Sequence, residues 1–228
     1  HLNLGSILFD KADIDGAVKH YLKSLSSGGD THETYYKLGL CYKKMGKIKQ
    51  AIAAFESAIE REANTGEIYF NFGMIYYDNK ELHYKAEELF KLAIKKKPDY
   101  AEAHLYLGNI YYKKRMLSEA MEQYKEAIDL KEDYAIAYSN LGAVYNDFNM
   151  LDKARECYFK AIEMNGNLAE AHLNLGVLHQ KQKDYEKAIK EMKIYMNMSD
   201  GKDIEEIKKR ITEMEKKIIV ESLKNSQL

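Results

Sequence analysis

The sequence predicts an all-α fold, a solenoid of about six helix-turn-helix repeats closed by a C-terminal capping helix. Three observations predict it. An apolar residue followed by glycine recurs at Leu4-Gly5, Leu38-Gly39, Phe72-Gly73, Leu107-Gly108, Leu141-Gly142 and Leu175-Gly176, so the glycines are spaced by 34, 34, 35, 34 and 34 residues, and self-similarity at such a period marks a repeat architecture. Within each unit the recurring residues follow one another at steps of three, four and seven, which puts them on one helical face. The 228 residues include one proline and 19 tyrosines, a composition poor in helix breakers and rich in rigid amphipathic rings.

The units span 1–31, 32–65, 66–100, 101–134, 135–168 and 169–200, followed by a segment over 201–228. Three residues after each glycine stands Leu8, Tyr42, Tyr76, Tyr111, Tyr145 or His179. An alanine comes twelve residues after it, thirteen in the third unit, at Ala17, Ala51, Ala86, Ala120, Ala154 and Ala188. Four residues beyond the alanine lies Tyr21, Phe55, Phe90, Tyr124, Tyr158 or Met192. A glycine inside a helix costs about 1 kcal/mol relative to alanine, so its return in every unit argues for a close helix contact into which the large rings fit.

The first unit opens at His1, mid-helix in this register, which leaves room for a targeting segment or further repeats ahead of it. In the third unit one extra residue, around Asn79 to Lys85, predicts a longer turn that leaves the stack intact. The sixth unit is degenerate. After Ser199-Asp200-Gly201, the spacing of Ile204, Ile207, Ile211, Met214 and Ile218 predicts one amphipathic helix, with Asp203 and Glu206 resembling a capping box at its start. That stripe suits a helix covering the last repeat, and equally a short coiled-coil seam between two copies.

These motifs resemble the tetratricopeptide family from His1 to about Met198; the family's usual terminal proline survives only as Pro98. The resemblance implies that the units stack into a right-handed superhelix whose first helices line a concave groove. The groove positions lie three and two residues before the glycine and one and four after it. Two before the glycine stand Asn3, Lys37, Asn71, Tyr106, Asn140 and Asn174, which looks like the asparagine ladder of the O-linked N-acetylglucosamine transferase superhelix. A carboxamide carries donors and an acceptor and pairs with peptide N–H and C=O whatever the peptide sequence; alternatively, these asparagines are simply solvated. Tyr36, Phe70, Tyr77, Tyr106 and Tyr112 would form an aromatic wall, and Asn109, Asn140 and Asn146 polar positions. Lysines that clamp acidic chaperone tails in some family members are missing, as Leu2, Tyr36, Phe70, Leu105, Ser139 and Leu173 fill the first of those positions.

Composition narrows the functions. With 35 Lys and Arg against 36 Asp and Glu, the formal net charge of -1 creates no global field for nucleic acid or an anionic membrane. No apolar run reaches the length of a membrane span. Cys41 and Cys157 lie more than three repeats apart, beyond disulfide reach, which fits the cytoplasm or another reducing compartment. Neither a phosphate loop, a paired-cysteine zinc pattern nor a nucleophile-base constellation is present, so no catalytic residue, cofactor or metal is expected. His172 and His179 share a helical face but replace aromatic packing residues and lack a third ligand at helical spacing. Lys43-Lys44, Lys95 to Lys97 and Lys113 to Arg115 fall at helix C-termini, and Glu33, Glu67, Glu102 and Glu170 at N-termini, where the backbone dipole favours each charge. Charges alternating as Asp10, Lys44, Asp78, Lys113, Asp147 and Lys181 are expected to draw neighbouring units together. The resulting expectation is an adaptor or scaffold that binds a partner's extended or helical segment. The alternatives are a self-assembling scaffold and the regulatory repeat region of a larger enzyme.

Overall fold

The computed structural model describes residues 1–29, 31–61, 65–199, 201 and 203–225. Asp200, at the end of the span assigned to the sixth repeat, and the end of the tail, 226–228, lie outside the described residues. The chain forms two compact units, 1–110 and 111–228. The first holds α1 (Leu2–Asp10), α2 (Ile14–Ser26), α3 (His32–Lys44), α4 (Ile48–Glu60), α5 (Gly66–Tyr77), a 3-10 turn (Lys80–Leu82), α6 (His83–Lys96) and most of α7 (Ala101–Lys113). The second holds α8 (Leu117–Leu130), α9 (Ala135–Asp147), α10 (Leu151–Met164), α11 (Ala169–Lys181), α12 (Tyr185–Met198) and α13 (Ile204–Asn225). No strand occurs among the described residues.

In the first unit the pairs α1–α2, α3–α4 and α5–α6 pack most closely, and α1, α3 and α5 touch in succession. In the second, α9–α10 and α11–α12 do the same, with α9 against α11. The repeated glycine explains the closeness. A Cβ built on Gly5, Gly39, Gly73 or Gly142 would lie 2.5, 2.6, 2.7 or 2.6 Å from a ring carbon of Tyr21, Phe55, Phe90 or Tyr158. Each of those rings is fully buried. The glycine thus opens the slot that the next helix's ring fills, and the ring's burial offsets the glycine's cost in helix stability.

The turns inside the repeats share one geometry. Ala12, Gly46, Arg115, Asn149 and Lys183 take φ values of 63°, 68°, 61°, 58° and 62°. The following amide donates back to the carbonyl five residues earlier, as from Lys47 to Tyr42 at 2.9 Å and from Met150 to Tyr145 at 2.8 Å. This left-handed stop satisfies carbonyls that the helix end would otherwise leave unpaired. The third repeat departs from it. There the extra residue becomes a 3-10 turn in which the Asn79 carboxamide accepts from the Glu81 amide at 3.0 Å. Buried His83 stacks on Tyr77 and bonds its carbonyl oxygen at 2.9 Å.

Helix α13 spends its apolar stripe within the chain. Ile207, Ile211 and Met214 are buried against Ala188, Ile189, Met192 and Tyr195 of α12, with Ile218 partly buried at the edge. The stripe therefore covers the last repeat and is not free to form a seam with a second copy. Helix α13 begins directly after Asp203, where the sequence placed its start, and the Asp203 carboxylate takes the Tyr195 hydroxyl at 2.8 Å, a tie between the two helices.

Candidate functional site

The first helices of the repeats carry the candidate residues, and each compact unit brings some of them together. In the first unit, α3 supplies Tyr36 and Lys37, α5 supplies Phe70, Asn71 and Tyr77, and α7 supplies Tyr106 and Asn109, all half-buried. The Asn71 amide donates to the Tyr36 hydroxyl at 3.1 Å and to the Glu67 carbonyl at 2.9 Å, while its oxygen accepts from Lys43 at 3.4 Å. Both amide hydrogens are thus engaged, and an oxygen lone pair is what remains for a ligand. Burial pushes the Tyr36 hydroxyl pKa up, helped by the Glu67 carboxylate and opposed by the Asn71 bond. Burial lowers that of Lys43, with Asp78 opposing.

Beside this pair the rings form a continuous cluster. Phe70 lies 4.9 Å from Tyr100, 5.6 Å from Phe90 and 5.6 Å edge-on from Tyr106, and Tyr77 meets Tyr106 at 5.0 Å, nearly perpendicular. These are the offset and edge-to-face arrangements that aromatic quadrupoles favour. Burial raises the Tyr106 pKa, with Tyr77 and Asp78 adding to it. Asn3 stands exposed on α1. Lys37 lends its charge to the Cys41 thiol, whose pKa burial nevertheless pushes up to about 11.

The second unit repeats the register with smaller groups. Asn174 on α11 donates to the Ser139 hydroxyl on α9 at 3.4 Å, and Lys181 reaches the carbonyl of Asn146 at 3.2 Å and its side-chain oxygen at 3.4 Å. Asn140 is half-buried on α9. Burial and then the Asp147 carboxylate raise the Tyr112 pKa, and Asp147 pairs with Arg115 at 2.7 Å.

Three of the alternating charges contact the neighbouring repeat. Asp147 takes Arg115, Lys181 takes Asn146, and Lys44 sits 4.3 Å over the Phe9 ring. Sequence reasoning took Lys43 only as a helix-terminal charge, although it occupies the groove position four residues after Gly39. It also missed Tyr100 and Phe90 as members of the aromatic cluster. The histidines are packing residues: His172 is buried and bonds Glu191 at 2.6 Å, and burial lowers the pKa of His179, with Asp184 opposing. No group of three potential metal-binding side chains occurs among the described residues. Cys41 and Cys157 are free and buried, with burial holding both thiols at about 11. None of the helices, over the described residues, is long and apolar enough to cross a membrane.

Stacked helix pairs, ring-into-glycine packing and left-handed turns define a helical-repeat protein. Tetratricopeptide-repeat models match residues 32–64 and 135–168, 66–100, 116–147 and 157–190, together more than half of the chain. The chain belongs to the tetratricopeptide-repeat family, whose fold is typical of protein–protein interaction scaffolds. Among solved structures it resembles the MamA protein, with 27% identity and a TM-score of 0.64 over 75% of this chain and 92% of that one. YrrB, described as a protein of this family with an unusual peptide-binding site, is 19% identical with a TM-score of 0.66 over 83% of this chain and 97% of that one. The Cut9–Hcn1 hetero-tetramer of the APC/C gives a TM-score of 0.75 at 20% identity, over 92% of this chain and 42% of that chain. No curated protein matches the chain significantly.

Proposed function

We propose that the protein is an interaction scaffold or adaptor that takes up an extended or helical segment of a partner protein along the face lined by the first helices of its repeats. The observation that carries this reading is the half-buried aromatic cluster of Phe70, Tyr77 and Tyr106 beside the hydrogen-bonded pair Tyr36–Asn71. Rings of this kind offer large rigid contact area at low entropic cost, with a polar atom for orientation. Asn140, Asn146 and Asn174 would supply main-chain contacts in the manner of an asparagine ladder, and Tyr112 a further ring. Asn71, with both amide hydrogens engaged, would act by accepting a peptide N–H, whereas Asn174 keeps a second amide hydrogen to donate and the Asn146 oxygen already accepts from Lys181.

The test is binding to a peptide array, with Tyr106→Ala and an Asn140→Ala/Asn174→Ala double variant as controls. Retention of a defined peptide set that drops at least tenfold in Tyr106→Ala supports the reading. Binding unaffected by both variants removes the face from the account.

A second reading, self-association, draws on one observation. Beyond the buried stripe, α13 leaves Ile219 and Leu223 57% and 56% exposed, with Val220 beside them. Light scattering on an Ile219→Asp/Leu223→Asp variant separates the two readings, because only self-association predicts a fall in mass. Charged residues at Ile211 and Ile218 would instead detach α13 from α12.

A further inference from the structure

We infer that the turn between α9 and α10 builds a second recognition site, distinct from the face above, that takes a large apolar side chain flanked by carboxylates on a partner peptide. A cavity of about 380 Å³ opens there, lined by Met121, Lys125, Tyr145, Phe148, Met150 and Lys153. That volume falls at the lower end of the range for ligand pockets and has room for one large side chain. The apolar part of the lining comes from Met121 on α8, Tyr145 on α9, and the turn residues Phe148 and Met150.

The turn holds those residues in place. Asn149 adopts the left-handed conformation at φ 58°, and the Met150 amide donates to the Tyr145 carbonyl at 2.8 Å. Phe148 and Met150 flank Asn149 in the chain, line the same cavity and remain 41% and 39% exposed. An exposed apolar pair on a rigid turn is poised to contact a partner without a loop having to be ordered first.

The fold itself does not require this pair. Four other turns share the left-handed stop, and the residues on either side of their central position are Lys11 and Asp13, Met45 and Lys47, Lys114 and Met116, and Gln182 and Asp184. Each has at most one apolar member. The apolar contact that often accompanies such a helix stop needs one residue, not two. Phe148 together with Met150 is therefore surplus to the turn.

The charge at the rim selects the ligand. Lys125 and Lys153 are exposed, and neither forms an ion pair among the described residues. Lys153 stands 5.6 Å over the Tyr145 ring, which keeps its ammonium at the mouth of the cavity. Two cations beside an apolar cavity fit an anchor such as phenylalanine or leucine with Asp or Glu on either side, and disfavour a basic segment. The methionines lining the cavity adapt to anchors of different shape.

The test uses the full chain and a fluorescein-labelled peptide with one phenylalanine between paired aspartates in a Gly-Ser context, followed by anisotropy at two salt concentrations. Saturable binding is expected that weakens with salt, falls at least tenfold when the phenylalanine is replaced by serine, and falls as far in Lys125→Glu/Lys153→Glu. The two lysines are exposed, so this variant should keep its circular dichroism and melting temperature, and Phe148→Ser/Met150→Ser provides an independent check. Tyr106→Ala should leave the binding intact, which separates failure here from failure of the proposed peptide face. No binding to the wild type, or equal binding to the lysine variant, overturns the proposal. A solution mass of twice 26.5 kDa that collapses to one copy in Phe148→Ser/Met150→Ser also overturns it, since a second copy would then fill the cavity.

Discussion

The two compact units make the same hydrogen bond in the same register and surround it with different chemistry. In the first, Asn71 reaches the tyrosine hydroxyl of Tyr36, and rings continue along the face through Phe70, Tyr77 and Tyr106. In the second, Asn174 reaches the serine hydroxyl of Ser139, with Asn140 and Asn146 nearby in place of rings. Each bond links residues 35 apart, from two before one glycine to three before the previous one. The period of the repeat fixes where the first helices present their side chains, and the identity of two or three positions decides whether the face is aromatic or amide-lined.

The largest test of this comparison concerns what should not differ between the units. Phe90 and Tyr158 fill equivalent slots against Gly73 and Gly142 and are both fully buried. Phe90→Ala and Tyr158→Ala should each cost about 3–5 kcal/mol, the usual loss for a buried ring, as read by urea unfolding. A loss in one unit less than half that in the other would break the claim that the scaffold is common to both.

The face itself should respond unequally. Asn71→Ala removes three hydrogen bonds and leaves Lys43 and the Tyr36 hydroxyl half-buried without their partner, so a loss of about 1–3 kcal/mol is expected. Asn174→Ala removes one long bond to a serine and should cost less than about 1 kcal/mol. Equal losses would show that the ring-lined and amide-lined stretches are held alike, and would weaken the link between local chemistry and local rigidity.

Much of the scaffold was legible from the sequence, because helix pairing depends on spacing alone. Gly39 and Phe55, or Gly142 and Tyr158, sit at a fixed separation that any helical hairpin of this period must bring together. The extra residue of the third repeat was also legible, but not the 3-10 turn that absorbs it, which depends on Asn79 and His83 finding local backbone partners. The role of α13 was open because a three-four stripe serves a capping helix and a coiled-coil seam equally well; only the position of α12 decides between them. The Asn71–Tyr36 bond was hidden for a related reason, since it depends on the distance between neighbouring first helices. The cavity at Phe148 and Met150 did leave a signal, the double apolar occupancy of a turn whose counterparts carry at most one apolar residue.

Glycine provides a sharper comparison between two repeats of the second unit. A Cβ at Gly142 would lie 2.6 Å from Tyr158 Cε1, on a ring wedged by the core, whereas at Gly176 the nearest atom is Met192 Cγ at 3.0 Å. The Met192 chain can shift by a few tenths of an ångström although it is buried, but the Ala188 carbonyl oxygen 3.2 Å away is backbone and yields less, and the ring at Tyr158 cannot move without disturbing its neighbours. Alanine gains about 1 kcal/mol over glycine in helix propensity, which offsets much of this milder crowding, so Gly176→Ala should cost less than Gly142→Ala. Gly142→Ala should lose about 1–2 kcal/mol net, as overpacking outweighs that gain. Melting curves of the two variants, with retained helicity as control, check the difference in size.

The smallest expected effect lies in the left-handed turns, where the units again share a geometry and differ in the residue that bears it. Gly46 adopts φ 68° without a Cβ penalty, but Lys183 holds φ 62° with one, as do Ala12 and Arg115. For a residue with a Cβ this conformation costs roughly 1–2 kcal/mol, part of which glycine gives back through its greater freedom in the unfolded chain. Lys183→Gly should therefore stabilise the second unit by about 0.5–1 kcal/mol, and Gly46→Ala should destabilise the first by a similar amount. Denaturant midpoints that shift in opposite directions would show that these turns carry stored strain, imposed by the Asp184 amide's bond to the His179 carbonyl at 2.9 Å. Unchanged midpoints would place the residue choice at these turns outside folding stability altogether, and would make the Phe148–Met150 pair less exceptional among them.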